Sequence, residues 1–300
     1  MRTDVLRNFV ALSDEKSMTR AAKRLHISQP TLSRQMSALE DDLGKQLYIR
    51  EEGIIKLTVD GQILYDYATS IVELEDRART AIAHSDEHVT GTVYIGHGDS
   101  NSMQYLFQAM SNVRERHRGV TFNLVSGDTH SLVEKLNQGS IDFMQECGAR
   151  QRGRYLALPL PGQDTIAALV GPQSRLFGLE KVTPSDLAGE DLVVSKQLLE
   201  SDVMRNWAGD QYPQLHSIVN FNLGMTVVDL AEYGSTCVIG YQELAERYYG
   251  QAIDCIPLDP PIVDESAIVW RKNRPLSPAA QAFLDALQAI CEKAAPSVGR

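Results

Sequence analysis

From Thr58 to His88 the chain contains no proline, and its only glycine, Gly61, falls in what would be the first helical turn. Nothing in that run stops a helix, so a single long one is expected there. Leu64, Tyr67, Ile71, Leu74, Ala78 and Ala81 step along it by 3, 4, 3, 4 and 3 residues, the spacing of a coiled-coil seam. Glu73, Glu75, Asp76, Arg77 and Arg79 flank the seam and keep it narrow. A narrow seam matches a second helix better than a broad core, so residues 59–89 are expected to pair two copies of the chain. They also divide it into a small domain, residues 1–58, and a larger one, residues 90–300.

Upstream, three helices and a hairpin are expected. Leu6, Phe9, Val10 and Ser13 keep one helical stripe, and Ser17 is placed to cap a second short helix that turns Ala21, Ala22 and Leu25 inward. His26-Ile27 makes a tight turn. Ser28 then caps a third helix, which tolerates Pro30 in its first turn and runs to Leu43, where Gly44 stops it. Two short apolar runs around Glu51-Glu52-Gly53 read as a hairpin.

Downstream the pattern alternates. Strands at 92–96, 120–125 and 141–145 enclose helices at 102–116 and 132–138, a βαβαβ order that implies parallel strands and right-handed crossovers. A further set has strands at 165–170, 191–194, 217–221 and 236–239 and helices at 198–207 and 225–233. A strand at 267–271 and a helix at 278–295 return the chain. Two α/β lobes are expected, the first from 90–161 and 267–300, the second from 162–266, with a ligand cleft at the strand C-terminal ends.

The net charge of -10 argues against a nucleic-acid binder until it is divided along the chain. Residues 1–60 hold 10 Lys+Arg against 9 Asp+Glu, a net of +1, which leaves -11 for the rest. Lys16, Arg20, Lys23, Arg24 and Arg34 meet no acid between Lys16 and Leu39, a local footprint for phosphate. Ser28 to Gln35 forms the start of the third helix, the part that enters a major groove in helix-turn-helix docking. Gln29, Thr31, Ser33, Arg34 and Gln35 carry the hydrogen-bonding groups that read base edges, and Pro30 stiffens that terminus beside them. Lys16, Arg20, Lys23 and Arg24, with Arg50 in the hairpin, are expected on phosphates.

These residues together resemble the LysR-type transcriptional regulators. The match runs through Leu6, Phe9, Ser17, Thr19, Ala21, Ala22, Leu25, Ser28-Gln29-Pro30-Thr31-Leu32-Ser33, Gln35, Leu39-Glu40, Leu43-Gly44, Leu47, Arg50, Leu57-Thr58 and Gly61. Tyr48 departs from the family's usual Phe, and Asp60 from a common Ala. The resemblance implies a winged helix-turn-helix (motif about 18–37), a long linker helix, and a bilobed effector domain like a periplasmic binding protein. Implied partners are double-stranded DNA with a pseudo-palindromic operator, a small-molecule effector, a second copy of the chain and often a tetramer; RNA polymerase is one more that the family allows.

The likeness continues into the effector half. Gly91-Thr92-Val93-Tyr94-Ile95-Gly96 looks like the family's first strand, and Gly127, Leu132, Leu136, Gly139 and Asp142 match its next pattern. His117-Arg118-Gly119 departs from the usual aromatic-Pro, and a Pro-rich stretch follows Asp254-Cys255. Carried over by position, the effector cleft is lined by Asp99, Ser100, Asn101 and Ser102; by Asp128, Thr129 and His130; by Ser195 and Lys196; and by Gly224, Met225 and Thr226. Hydroxyls and N–H groups at helix starts suit a carboxylate. Asp99 and Asp128 oppose a simple anion unless Lys196 or His130 compensates, which leaves a neutral or cationic ligand open.

Other signals carry less. Gly96-His97-Gly98 lacks the third glycine and the distal acid of a dinucleotide fingerprint. His84 and His88 have the spacing of a metal pair without an acidic partner, so no metal or cofactor is expected. No nucleophile elbow is present and no enzyme is expected. Cys147, Cys237, Cys255 and Cys291 lie far apart and read as reduced and mostly buried. A regulator triggered by thiol oxidation is one alternative; a solute-binding protein or enzyme without a DNA role is another. No apolar run is long enough to cross a bilayer, and two Arg and an Asp within Met1 to Val10 do not form an export signal, so a cytoplasmic location is expected.

Overall fold

A computed structural model describes residues 1–51, 53–82, 89–147, 153–219, 221, 224–250 and 252–294, without the side chains of 77, 80–82 and 225. The chain forms two compact units, residues 1–85 and 86–300. His84 and His88 lie outside the described residues, as does the side chain of Ala81.

In the first unit α1 (Thr3–Glu15), α2 (Met18–Arg24) and α3 (Gln29–Leu43) precede the antiparallel β1 (Tyr48–Glu51) and β2 (Ile54–Leu57), and α4 (Val59–Ile82) follows. Local chemistry sets the breaks. Lys16 ends α1 in the left-handed region, with φ 51°, and the Ser17 side chain accepts from Arg20 N at the start of α2. His26, φ 54°, makes the turn; Ser28 Oγ then accepts from Thr31 N, 3.3 Å, and Gly44, φ 62°, closes α3. Phe9, Leu12, Leu32 and Met36 are fully buried between the helices. Each such side chain contributes about 1.5–3 kcal/mol of burial.

Of the described side chains in the expected α4 seam, only Leu64 turns inward. Leu64, Tyr65, Ala68 and Val72 pack on the helical core, while Ile63, Tyr67, Ile71 and Leu74 stay exposed. Arg7 on α1 fixes this orientation by gripping both Asp76 carboxylate oxygens, 2.7 and 2.6 Å, and Glu75, 3.3 Å. The Tyr65 hydroxyl donates to Asp14, 2.7 Å, near the C-terminal end of the same helix.

The second unit holds two five-stranded sheets. Along the chain run β3 (Gly91–His97), α5 (Met103–Arg116), β4 (Val120–Ser126), α6 (Thr129–Gln138), β5 (Phe143–Cys147) and β6 (Tyr155–Pro159). Next come β7 (Asp164–Val170), α7 (Pro184–Leu187), β8 (Leu192–Val193), α8 (Lys196–Leu199), α9 (Asp202–Ala208) and β9 (Ser217–Val219). Then α10 (Asp229–Tyr233), β10 (Cys237–Tyr241), α11 (Gln242–Tyr249), β11 (Asp254–Asp264), β12 (Ser266–Arg271) and α12 (Pro278–Ala294) complete it. The sheet orders are β4-β3-β5-β12-β6 and β11-β7-β10-β8-β9. The βαβαβ strands are parallel to one another, and β12 returns antiparallel between β5 and β6. The chain crosses between the sheets twice, from β6 into β7 and, through Glu265 alone, from β11 into β12.

Two expected helices are broken. Ser201 interrupts 198–207: its hydroxyl donates to Leu198 O, 2.7 Å, and caps α9 by accepting from Met204 N, 3.1 Å. The stretch 225–233 is a 3-10 turn, Met225–Val227, followed by α10. Strands β6 and β11 and helix α11 were absent from the sequence reading. The prolines of β11 fit because it is an edge strand, bulged between Pro257 and Ile262.

Candidate DNA interface and effector cleft

On α3 the first turn and the face beyond it are open: Gln29, Pro30 and Arg34 are exposed, Thr31 and Ser33 half-buried. Ser28 is committed to capping, and its hydroxyl also meets Thr31 Oγ1 at 2.7 Å. The Arg34 guanidinium rests on its own helix, donating to Pro30 O at 3.4 Å. Gln35 lies on the flank toward α1, where its carbonyl accepts from Asn8 Nδ2, 2.8 Å. Sequence reasoning passed over Asn8, and also Ser37, exposed one turn beyond Ser33.

The phosphate candidates are less bare than their sequence neighbourhood implies. Arg24 pairs with Asp14, 3.2 Å, and Glu15, 3.4 Å, and Arg20 pairs with Glu15 at 3.7 Å while donating to the Glu15 carbonyl. These acids precede Lys16 in sequence, and the α1–α2 turn folds them back. The pairs are exposed and worth at most ~1 kcal/mol, which leaves them open to exchange for phosphate. Lys16 and Lys23 are exposed, as is Arg50 on β1 of the wing. The Lys16 carbonyl accepts from Ile55 N, 3.0 Å, tying the end of α1 to the wing.

In the second unit the expected cleft residues divide by role. Asp128 caps α6, and hydrogen bonds from Ser131 hold its carboxyl below the usual range. His130 is exposed, 3.5 Å from Glu134, and Lys196 is exposed, 3.9 Å from Glu200. Ser195 caps α8 through Leu198 N, 3.2 Å. Met225 and Thr226 lie in the 3-10 turn, with Thr226 exposed. Two contacts join the lobes here: Gly224 N–H donates to Asp99 Oδ2, 2.6 Å, and Thr129 N–H donates to Gln197 Oε1, 3.2 Å.

Beneath them lies a buried polar network. Ser100 donates to Asp164 Oδ2, 2.5 Å, and Asn101 N–H donates to Asp164 Oδ1, 2.8 Å. Gln145 Nε2 reaches Ser102 and Ser266, both at 3.2 Å, and Cys147 Sγ at 3.3 Å. The Tyr241 hydroxyl donates to Asp264, 2.8 Å. Burial pushes the Asp164 carboxyl up, against the hydrogen bonds from Ser100 and Asn101, and the nearby Glu243 and Asp264 push the same way. Ser100 and Ser102 are thus floor rather than open lining. Gln145, which follows the apolar Phe143-Met144 pair in β5 and is buried, is a part of this floor that the sequence reading did not single out.

The LysR substrate binding domain matches residues 86–292, and the bacterial regulatory helix-turn-helix domain of the lysR family matches residues 3–62. The chain belongs to the LysR family. It is 32% identical over 138 residues to the HTH-type transcriptional regulator BsdA of Bacillus subtilis, spanning 46% of this chain and 47% of that protein. It is 29% identical over 205 residues to a probable hydrogen peroxide-inducible genes activator of Mycobacterium avium, spanning 68% and 65% of the two chains. Against the SDS degradation transcriptional activation protein of a Pseudomonas species it is 25% identical over 295 residues, 93% and 92% of the two. The chain thus spans about half to two thirds of the first two relatives and nearly all of the third. Among solved structures, full-length CbnR complexed with its target DNA is 22% identical with a TM-score of 0.67, covering 97% of this chain and all of that one. A full-length OxyR variant from Pseudomonas aeruginosa is 22% identical with a TM-score of 0.55, covering 96% and 99%. Both share the fold of this LysR-family chain.

Among the described residues no group of three or more His, Cys, Asp or Glu is placed to hold a metal ion, and no helix is long and apolar enough to cross a membrane.

Proposed function

We propose that this LysR-family chain is a sequence-specific DNA-binding transcriptional regulator, with its effector bound between the two α/β lobes. The observation that carries the reading is the open start of α3, where Gln29, Pro30 and Arg34 stand exposed, as does Arg50 on the wing. In this reading Gln29, Thr31, Ser33 and Arg34 read base edges in the major groove. Lys16, Arg20, Lys23, Arg24 and Arg50 hold phosphates. Ser28 and Gln35 position α3. The exposed Ile63, Tyr67, Ile71 and Leu74 stripe pairs two copies, so the operator is pseudo-palindromic, and effector binding changes how the assembly sits on DNA and meets RNA polymerase. Tetramers and a cytoplasmic location belong to the same reading.

The test is a gel-shift series of the full chain against its own upstream DNA across salt concentrations. Specific retention with a steep salt dependence supports the reading; no retained fragment at low salt removes it.

The peroxide-inducible relative raises thiol oxidation as a second trigger. The thiols here oppose it. Burial pushes Cys147 and Cys255 up to about 11, Cys237 to about 12, and Cys291 above its usual value. A protonated thiol is a poor nucleophile toward peroxide, so replacing all four Cys by Ser is expected to leave the regulatory response intact.

A further inference from the structure

Charge is sorted within the second unit. Residues 162–264, which build the second sheet and its helices, hold 5 Lys+Arg against 15 Asp+Glu, a net of -10. One end of the first lobe is the reverse. The parallel strands β3, β4 and β5 start there; β12, antiparallel to β5, finishes there, and β6, antiparallel to β12, starts there. Helices α5 and α6 run back to it between those strands, so the cleft loops lie at the opposite end. The turn from α5 into β4 brings Arg114, Arg116 and Arg118 to this end, and the last turn of α6 brings Lys135. Arg154 directly precedes β6, and the exit from β12 carries Arg271, Lys272 and Arg274. Residues 114–119, 135–142, 153–155 and 271–277 together hold 8 Lys+Arg against 2 Asp+Glu, a net of +6.

This charge is open to solvent. Arg116, Arg118, Lys135, Arg154 and Lys272 are exposed, and among the described residues none of them is paired with an acid. Arg114 donates to Arg118 O and Val120 O, and Arg271 to Asn137 O, 2.7 Å, bonds that fix the turns without cancelling charge. On the second lobe, by contrast, Arg175, Lys181 and Lys196 stand against Glu190, Asp259 and Glu200. Since β4 and β6 are the edge strands of the first sheet, Arg118 and Arg154 mark opposite edges of the basic end. At ordinary strand spacing they are about 19 Å apart, a length over which a duplex carries about eleven phosphates. The chain also arrives at this end from α4: Gly91, the first residue of β3, donates its N–H to Gly119 O, 3.2 Å, next to Arg118. Whatever DNA the first unit holds, the basic end is carried to it on the same chain at a raised local concentration. An interface with another protein is depleted of charge at its centre, whereas phosphate contacts need charge alone, so a duplex is the better fit.

We infer that this end of the first lobe is a second DNA-binding surface, which holds phosphates of the duplex flanking the segment read by α3. The inference deepens the DNA-binding reading above and rests on it. It gives Arg118, Arg154 and Lys272 a share of affinity without sequence choice, because phosphate contacts carry no base information.

The test is Arg118→Glu with Lys272→Glu in the full-length chain. The control is Arg247→Glu with Lys293→Glu, an equal change of net charge at exposed positions on α11 and in the last turn of α12. Each protein is titrated across salt concentrations with two duplexes: the shortest piece of its own upstream DNA that the parent retains, and that piece extended on both sides by unrelated sequence. The parent is expected to bind the extended duplex more tightly and with a steeper salt dependence. The Arg118/Lys272 variant is expected to lose that gain, its log–log slope shallower by about two per protomer for two lost phosphate contacts, while binding the trimmed duplex as the parent does. Arg154→Gln, a milder change at the other edge, is expected to flatten the slope by about one per protomer. The control is expected to keep the gain, and melting temperatures equal to the parent's check that each variant is folded.

Equal slopes and equal gains for the parent and both patch variants overturn the inference. An equal loss in the control does so too, because it traces the effect to net charge. A patch variant that keeps the DNA gain but loses the regulatory response assigns the basic end to an acidic protein partner and likewise overturns it. If the parent retains no fragment, the DNA-binding reading itself fails; if the parent retains DNA with no help from the flanks, only the second surface does.

Discussion

Gly61 in the first turn of α4 lies so close to Leu47 that a Cβ on it would stand 1.8 Å from the Leu47 carbonyl oxygen. That carbonyl also accepts from Thr58 N, 2.9 Å, and the Thr58 hydroxyl accepts from Gly61 N, 3.0 Å. The wing and the long helix are thereby clasped at one point.

Gly61→Ala tests the clasp. Alanine in an exposed helix interior gains up to about 1 kcal/mol over glycine. Here the backbone must move to admit a methyl group, and overpacking of this kind costs about 1–3 kcal/mol. The expected outcome is a lower melting temperature for the full chain and weaker DNA retention. An equal or higher melting temperature would show that α4 is not held against Leu47.

How far such features can be read from sequence depends on how local their causes are. Ser17, Ser28 and Gly44 are legible because a cap involves residues at most a few positions apart. Gly61 is visible as a matched position, but its reason, the Leu47 carbonyl, lies across a turn. The prolines of β11 hid a strand, since nothing local tells an edge strand from a loop. Ser201, set between Glu200 and Asp202, cut an expected helix by offering its own hydrogen bonds. The floor of the cleft was the least legible part, because Gln145 finds Ser266 and Ser100 finds Asp164 across distant sequence. Asp128 was read as charge at a cleft mouth although an acid at a helix start is a capping signal, and capping is what it does.

Arg34→Ala addresses the DNA interface. An exposed guanidinium whose hydrogen bond is a long one to its own helix is available for a base edge. Loss of a bidentate base contact costs about 1–3 kcal/mol and relaxes specificity at one operator position. Lys23→Ala, by contrast, is expected to weaken binding evenly over sequences and to make the salt dependence shallower. Titrations against an operator library separate the two; identical profiles for both variants would place Arg34 on phosphate or off the interface.

Ile71→Asp addresses assembly. Ile71 is exposed on the α4 stripe while Val72, its neighbour, is buried, so a charge at 71 leaves the fold of the first unit intact and spoils a helix pair. The expected outcome is a shift to smaller species in sedimentation, with Glu73→Lys as a control at an exposed position off the stripe. DNA affinity should drop with it, because two linked reading heads bind far more tightly than one. An unchanged sedimentation profile would assign dimerisation to another surface.

Asp164→Asn addresses the buried floor through pH. Burial raises the folded-state pKa of this carboxyl above its unfolded value, so the native state holds the proton more tightly. Its favourable contribution is therefore full below the unfolded pKa, near 4, and is lost as pH rises through the raised folded value. An asparagine carries no charge to desolvate, and its carbonyl still accepts from Asn101 N–H while its amide can donate to Ser100. The variant is expected to lack this fall in stability as pH rises from 4, and to melt at least as high as the parent at pH 7. Chemical denaturation across that pH range decides the matter. A variant that loses stability in parallel with the parent at every pH would mean that Asp164 matters for its hydrogen bonds alone, with its charge state playing no part in holding the two lobes together.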